Sequence, residues 1–156
     1  MTKWRPNPTI RVKALGLHWR EGRLLAEEVC NDNGQVRGVR PLGGTTEFGE
    51  AWQETLTREF LEELGIEVVI VSEALVFENI YTFEGEKGHE IFFIAEVLFP
   101  SDAFEGQDEI IFYEADGTRC KAQWYDLDDL DSGGLLLYPA GLKALLCLKE
   151  NQNPQR

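Results

Sequence analysis

Three glutamates in one short stretch of predicted helix have the spacing to bind a metal cation. Glu59, Glu62 and Glu63 lie within five residues, and at about 100° of rotation per residue their side chains share one sector of the helix. Two carboxylates about 6 Å apart repel by roughly 3 kcal/mol at an effective dielectric constant near 20. A divalent cation such as Mg²⁺ or Mn²⁺ prefers oxygen ligands, so it would convert this repulsion into shared coordination.

The helical wheel adds two constraints to this group of carboxylates. Glu63 falls inside the apolar stripe that should face the core, where a charge must be paired or bound. Arg58 points to the other side of Glu59, from which it can reach Glu54 or Glu50. We therefore expect Arg58 to orient the carboxylates without neutralising all of them, so the metal-free helix should be strained by their repulsion.

The glutamates belong to a longer pattern that extends over residues 44–66. Its fixed positions are Gly44, Glu50, Arg58, Glu59, Phe60, Glu62, Glu63, Gly65 and Ile66. This pattern matches every fixed position of the Nudix box, so the chain resembles the Nudix hydrolases. The context agrees, because the pattern begins in a glycine loop, continues through a predicted helix and ends in a predicted strand.

The resemblance implies a fold, a set of metal ligands and an ion pair. The implied fold is α/β, a Nudix-like α/β/α sandwich with a mixed sheet between helices. The implied ligands of Mg²⁺ or Mn²⁺ are Glu59, Glu62, Glu63 and the carbonyl oxygen of Gly43. In the family, Glu50 and Arg58 form an ion pair that holds the carboxylates in place.

The resemblance also implies a reaction, in which metal ions neutralise a diphosphate and activate water while a carboxylate removes the proton. In the family this base comes either from the box, where Glu59 or Glu62 would serve, or from a later loop. The corresponding loop contains Glu105, Asp108 and Glu109. We predict Glu109 as the loop base because it adjoins the strand that would fix it.

The overall charge limits the classes of ligand. Fifteen Lys and Arg against 28 Asp and Glu give a net charge of -13, which repels nucleic acid polymers and anionic membranes. A small phosphorylated substrate therefore needs local positive charge from metal ions or arginines. Arg37 and Arg40 flank the glycine loop, and we predict that Arg40 meets a terminal phosphate. The alternative is that both are solubilising surface residues.

The predicted function is metal-dependent hydrolysis of a diphosphate bond in a nucleoside diphosphate linked to another moiety. One alternative is a hydrolase that removes damaged nucleoside triphosphates, and another is a regulator that senses a nucleotide without cutting it. The complete box argues against the regulator. The predicted partner is a small nucleotide-like molecule. Whether the chain also forms a homodimer is left undecided by the sequence.

Length and cysteine spacing predict one cytoplasmic domain. A chain of 156 residues suits a single domain over 1–156. It has no apolar run near the roughly 20 residues that span a membrane, and no secretion signal. Three widely separated cysteines fit neither a disulfide framework nor a zinc site, so we expect reduced thiols in the cytoplasm.

The elements that must position the box can be read from periodicity and turn residues. We predict helices over residues 51–64, ended by Gly65, and over 140–149. We predict strands over residues 9–19, 23–29, 66–71, 74–83, 90–99, 110–114 and 119–125. The first two strands should form a hairpin around the turn at residues 20–22, and the last two around residues 115–118. A mixed sheet with a helix on each face would bury this apolar surface.

Overall fold

The computed structural model describes residues 3–152, without the side chains of residues 150–152. Contacts divide the chain into two units. The first comprises Leu42–Ala103 and the described residues up to His18, and the second comprises Trp19–Pro41 and the described residues from Phe104 onward. The single domain over 1–156 stays a prediction, and its outermost residues, 1–2 and 153–156, lie outside the described part.

The chain is α/β, with two α-helices and eleven strands in the described residues. In chain order the elements are β1 (Ile10–Leu17), β2 (Trp19–Arg20), β3 (Arg23–Cys30), β4 (Val36–Arg40), β5 (Leu42–Thr45), α1 (Trp52–Leu64), β6 (Val69–Ile70), β7 (Leu75–Phe83), β8 (Glu86–Leu98), β9 (Glu109–Tyr113), β10 (Arg119–Tyr125), β11 (Leu136–Leu137) and α2 (Leu142–Gln152). The described residues contain no helix long and apolar enough to cross a membrane.

The first unit is built on a mixed sheet in the order β5-β1-β8-β6, with β7 also paired to β8. Strand β1 runs parallel to β8 and antiparallel to β5. Strands β7 and β8 form an antiparallel hairpin. Its turn contains Glu84 and Gly85 with φ angles of 49° and 85°, the left-handed conformation that a tight two-residue hairpin requires.

Helix α1 carries the box and contacts β1 and β5. It ends as predicted at Gly65, whose φ of 70° is left-handed and whose N–H donates to Leu61 at 3.0 Å. At its start, Glu54 accepts a hydrogen bond from the backbone N–H of Ala51 at 3.3 Å. This satisfies one of the amide groups that a helix leaves unpaired at its N-terminus.

Phe60 anchors α1 to the sheet. Its side chain is 1% exposed, and full burial of a phenylalanine contributes roughly 3 kcal/mol. A Cβ added to Gly16 would lie 2.6 Å from the Phe60 ring, so a glycine in β1 is what allows the helix to approach the sheet this closely.

The second unit is built on another mixed sheet, in the order β11-β4-β3-β10-β9, with β2 also paired to β3. Its pairs are antiparallel except β4 with β11, which is parallel. The predicted hairpin of β9 and β10 is confirmed. None of the three cysteines forms a disulfide.

The predicted hairpin of residues 9–19 with 23–29 is wrong over most of its length. Only β2 pairs with the start of β3, through a turn at Glu21 and Gly22 with φ angles of 52° and 79°. Strand β1 instead pairs with β8 and β5. The turn at residues 20–22 therefore forms only a short local hairpin. The sequence predicted one mixed sheet, whereas the strands form two mixed sheets.

Candidate active site

The predicted ion pair between Glu50 and Arg58 is present and has two hydrogen bonds. Arg58 Nε donates to Glu50 Oε2 at 2.7 Å, and Arg58 Nη2 donates to Glu50 Oε1 at 3.0 Å. These hydrogen bonds are the main reason that the pKa of Glu50 falls to about 2 and that of Arg58 rises. Both groups therefore stay charged near neutral pH, and the pair ties the loop before α1 to the middle of the helix.

Thr55 is part of this arrangement and was not predicted from the sequence. It is fully buried, and its hydroxyl lies 2.7 Å from Glu50 Oε1 and 3.0 Å from Thr46 Oγ1. The helical wheel gives little signal for it, because Thr55 lies about 60° beyond Trp52, at the edge of the apolar stripe of α1. Since Thr55 fixes Glu50, it also helps to fix Arg58.

Arg58 also contacts two of the three predicted metal ligands. Its Nη1 donates to Glu59 Oε1 at 2.8 Å and to Glu62 Oε2 at 3.3 Å, and its Nη2 donates to the carbonyl of Thr45 at 3.1 Å. The Glu59 side chain is 15% exposed, whereas that of Glu62 is 58% exposed. Arg58 therefore offsets more of the carboxylate repulsion than the helical wheel predicted. Of its two predicted partners, Glu50 and Glu54, it contacts Glu50.

The carboxyl groups of Glu59 and Glu63 interact within the array. Burial is the main cause that raises the pKa of Glu59, and the hydrogen bond from Arg58 opposes it. Two neighbouring carboxyl groups that are partly removed from water are suited to share a hard cation.

The donor set fits a divalent cation in its chemistry. Glu59, Glu62, Glu63 and the carbonyl of Gly43 supply oxygen atoms only, as Mg²⁺ and Mn²⁺ prefer. Within residues 3–152, no three carboxylate, imidazole or thiol groups yet converge on one point. Glu62 instead accepts a hydrogen bond from the positively charged side chain of Arg58. The ligand roles of these four residues stay predictions.

Gly44 allows Glu59 to lie against the backbone of β5. A Cβ added at Gly44 would lie 2.2 Å from Glu59 Cδ, and one at the neighbouring Gly43 would lie 1.9 Å from the carbonyl oxygen of Ala14. Both glycines pair with β1, Gly43 with Leu15 and Gly44 with Ala14. The glycine loop of the box therefore provides the space that brings Glu59 next to the Gly43–Gly44 backbone.

We expect Gly44→Ala to lower turnover by at least about tenfold while leaving the protein folded. The added methyl group displaces the flexible end of Glu59 and leaves the backbone in place, and misplacing a reacting group by about 1 Å can cost two orders of magnitude. Steady-state kinetics and circular dichroism would measure both effects. Gly134→Ala is the matched control, since its Cβ meets no atom within 4 Å. Equal activity of the two variants would show that the position of Glu59 does not matter.

Two predicted site residues lie in the second unit. Glu109 is the first residue of β9, is 54% exposed and pairs with Lys121 at 3.2 Å. Arg40 is half-buried and contacts Glu27 at 2.6 Å. Its role as a phosphate ligand stays a prediction, as does the role of Glu109 as base. Arg37 is exposed, in keeping with a surface role.

Several solved structures resemble this chain over most of its length. The solved structures that resemble the chain include the E. coli ORF135 protein, with 18% identity, a TM-score of 0.60 and coverage of 94% of this chain and 93% of that one. A MutT NUDIX hydrolase from Burkholderia pseudomallei has 22% identity, a TM-score of 0.55 and coverage of 86% and 95%. An ADP-ribose pyrophosphatase from Streptococcus suis has 16% identity, a TM-score of 0.52 and coverage of 92% and 93%.

These identities establish a shared fold only. No curated protein sequence matches the chain. The NUDIX domain family model, however, matches residues 11–145, which include all of the box. Members of this family are hydrolases that act on pyrophosphate bonds and generally use divalent metal ions. With the complete box, its Glu50–Arg58 pair and this match over most of its length, the chain belongs to the Nudix family.

Proposed function

We propose that this chain is an active pyrophosphohydrolase that uses Mg²⁺ or Mn²⁺ and water to cut the diphosphate bond of a nucleoside diphosphate linked to another moiety. The observation that carries the proposal is the placement of Arg58. One guanidinium group contacts Glu50, Glu59 and Glu62, so it holds three carboxylates of the box close together. Carboxylates crowded in this way repel one another unless positive charge is supplied, which supports a cation-binding role for the array.

The proposed roles are those that the resemblance to the family implies, together with the contacts of Arg58. Glu59, Glu62, Glu63 and the carbonyl of Gly43 would hold the metal. When bound, the metal supplies the positive charge that a diphosphate needs and activates water for attack. Arg58 is a positioning residue for Glu59 and Glu62.

The general base is proposed to be a carboxylate of this chain, and three candidates stay open. Glu59 and Glu62 lie in the box, while Glu109 begins β9 beside Lys121. A base must reach the proton that it removes within hydrogen-bond distance. We further propose that the enzyme works in the cytoplasm, where its thiols would stay reduced.

The test is a substrate panel assayed with the full chain. We expect hydrolysis of at least one diphosphate among nucleotide sugars, dinucleoside polyphosphates and ADP-ribose, with a nucleoside monophosphate as one product. Turnover should stop in excess EDTA and return when Mg²⁺ or Mn²⁺ is added in excess, because the bound metal would neutralise the diphosphate and activate water. Chromatography would identify the products.

Three outcomes would contradict the proposal in different ways. Undiminished turnover in EDTA would reject the metal mechanism. Hydrolysis of triphosphates alone, with release of pyrophosphate, would favour the alternative of a triphosphate hydrolase. Tight nucleotide binding without cleavage of any substrate would favour a sensor protein.

A further inference from the structure

The side chain of Arg20 in β2 contacts both the sheet and a loop of the second unit. Its Nη1 donates to the carbonyl oxygen of Gln107 at 2.6 Å, and its Nη2 donates to the carbonyl oxygen of Phe104 at 2.9 Å. The guanidinium group also lies over the ring of Trp124, 3.4 Å from the ring centroid, where the negative face of the ring attracts it. Arg20 therefore joins β2 to β10 and to the segment that precedes β9.

The two carbonyl groups belong to a tight turn formed by residues 104–107. The N–H of Gln107 donates to the carbonyl oxygen of Phe104 at 3.1 Å, which closes a β-turn. Gly106, at the third position of this turn, has a φ of 74°, as a type II turn requires. Phe104 has a φ of 58°, which is uncommon for a residue with a side chain. Such a conformation persists only where the surroundings fix it.

Arg20 restricts this turn more than hydrogen bonding alone requires. Gln107 is exposed, so water could satisfy its carbonyl oxygen without an arginine. The planar guanidinium group instead sets the orientation of two carbonyl groups at once, and Trp124 holds its plane. The contacts of Arg20 therefore make the turn rigid and stabilise the left-handed conformation of Phe104.

The turn leads directly to Glu109, the first residue of β9. The backbone of Glu109 pairs with Gln123 of β10, and its carboxylate lies 3.2 Å from the ammonium group of Lys121. Arg20 fixes the chain two residues before this point, at Gln107. Glu109 is thus held through its backbone, its side chain and the turn before it. A general base needs such placement, because an error of about 1 Å can cost two orders of magnitude in rate.

We propose that Arg20 is a positioning residue, which holds the turn of residues 104–107 so that Glu109 acts as the general base. The inference rests on the proposed function and selects one of its three candidate bases. Arg20 acts through the backbone of the turn, and Glu109 removes the proton from the attacking water.

Steady-state kinetics of Arg20 variants test this role. Arg20→Gln should lower kcat at least about tenfold with little change in KM, because the base is displaced while the metal ligands stay in place. Arg20→Lys keeps the charge but lacks the planar fork, so it should recover part of kcat. Arg23→Gln is the matched control, since Arg23 is exposed and is the register partner of Arg20 in the same hairpin. It should leave kcat unchanged.

A double-mutant cycle with Glu109→Gln separates positioning from a general structural effect. If Arg20 acts through Glu109, then Arg20→Gln should lower kcat by less than about twofold in the Glu109→Gln background. Equal losses in both backgrounds would overturn the inference, and so would an unchanged kcat in Glu109→Gln alone. Either result leaves the proposed function intact. A wild-type chain that cleaves no substrate of the panel would instead refute the proposed function, and this inference with it.

Amide hydrogen exchange tests the contact of Arg20 with the turn without any substrate. Arg20→Gln should speed exchange of the Gln107 N–H, which closes the turn, because local opening becomes easier. Arg23→Gln should not change it. Circular dichroism would show that the variants are folded. Should Arg20→Gln fail to fold, Arg20→Lys carries the same test, with smaller changes in the same direction. Unchanged exchange in a folded Arg20 variant would overturn the inference.

Discussion

Glu59→Gln is expected to lower kcat by at least about a hundredfold, a loss of roughly 3 kcal/mol of transition-state stabilisation. Glu59 is held on two sides, since it accepts a hydrogen bond from Arg58 at 2.8 Å and lies against Gly44. The amide has nearly the same shape, so the fold should hold. It lacks the negative charge that would bind Mg²⁺ and is a poorer ligand. Steady-state kinetics over a Mg²⁺ titration would measure the loss.

The controls separate a ligand from a merely nearby carboxylate. Glu67→Gln removes an exposed negative charge just beyond the box and should leave kcat unchanged. Glu63→Gln should resemble Glu59→Gln, because both carboxylates are proposed ligands of the same metal. If both Glu59→Gln and Glu63→Gln lost tenfold or less, the array would not be the metal site.

The local elements were predictable because their signals are contained in short segments. Four-residue spacing of apolar residues predicted α1, and Gly65 predicted its end. The pairing of Glu50 with Arg58 was also expected, because both residues belong to one motif of fixed geometry. In these cases the structure is determined by residues close together in the sequence, so it can be predicted from local spacing.

Long-range pairing was not predictable in the same way. Strand β1 pairs with β8, about 80 residues later in the chain, and nothing within β1 specifies that partner. Strand β4 contains Arg37, Gly38 and Arg40, which carry little strand signal. Strand β11 has only two residues. These pairings depend on tertiary context, which a single sequence does not display.

Some side-chain contacts in the site could not be predicted from the sequence, for a related reason. The wheel places three carboxylates in one sector, but it cannot show that Arg58 reaches Glu62 as well as Glu59. An exposed ion pair such as Arg58–Glu62 contributes only about 0–1 kcal/mol. It nevertheless reduces the strain in the metal-free array that we expected from repulsion alone.

Arg58→Met should impair both stability and activity, because one side chain joins the loop to the helix. Removing it leaves Glu50, which is 12% exposed, and Glu59, which is 15% exposed, without their guanidinium partner. Breaking a partly buried ion pair costs more than the pair itself contributes. We expect the melting temperature in EDTA to fall by on the order of 5 °C, and kcat to fall at least about a hundredfold. Thermal scans and steady-state kinetics would measure these changes.

Two further variants show whether Arg58 acts through charge or through geometry. Arg58→Lys keeps the positive charge but cannot form the two parallel hydrogen bonds to Glu50. It should therefore recover part of the melting temperature and little of kcat. The double variant Glu50→Gln with Arg58→Met removes both charges, so it should be less destabilised than the sum of the single variants. Strictly additive losses, together with full activity of Arg58→Lys, would mean that Arg58 supplies only a surface charge and does not position Glu59.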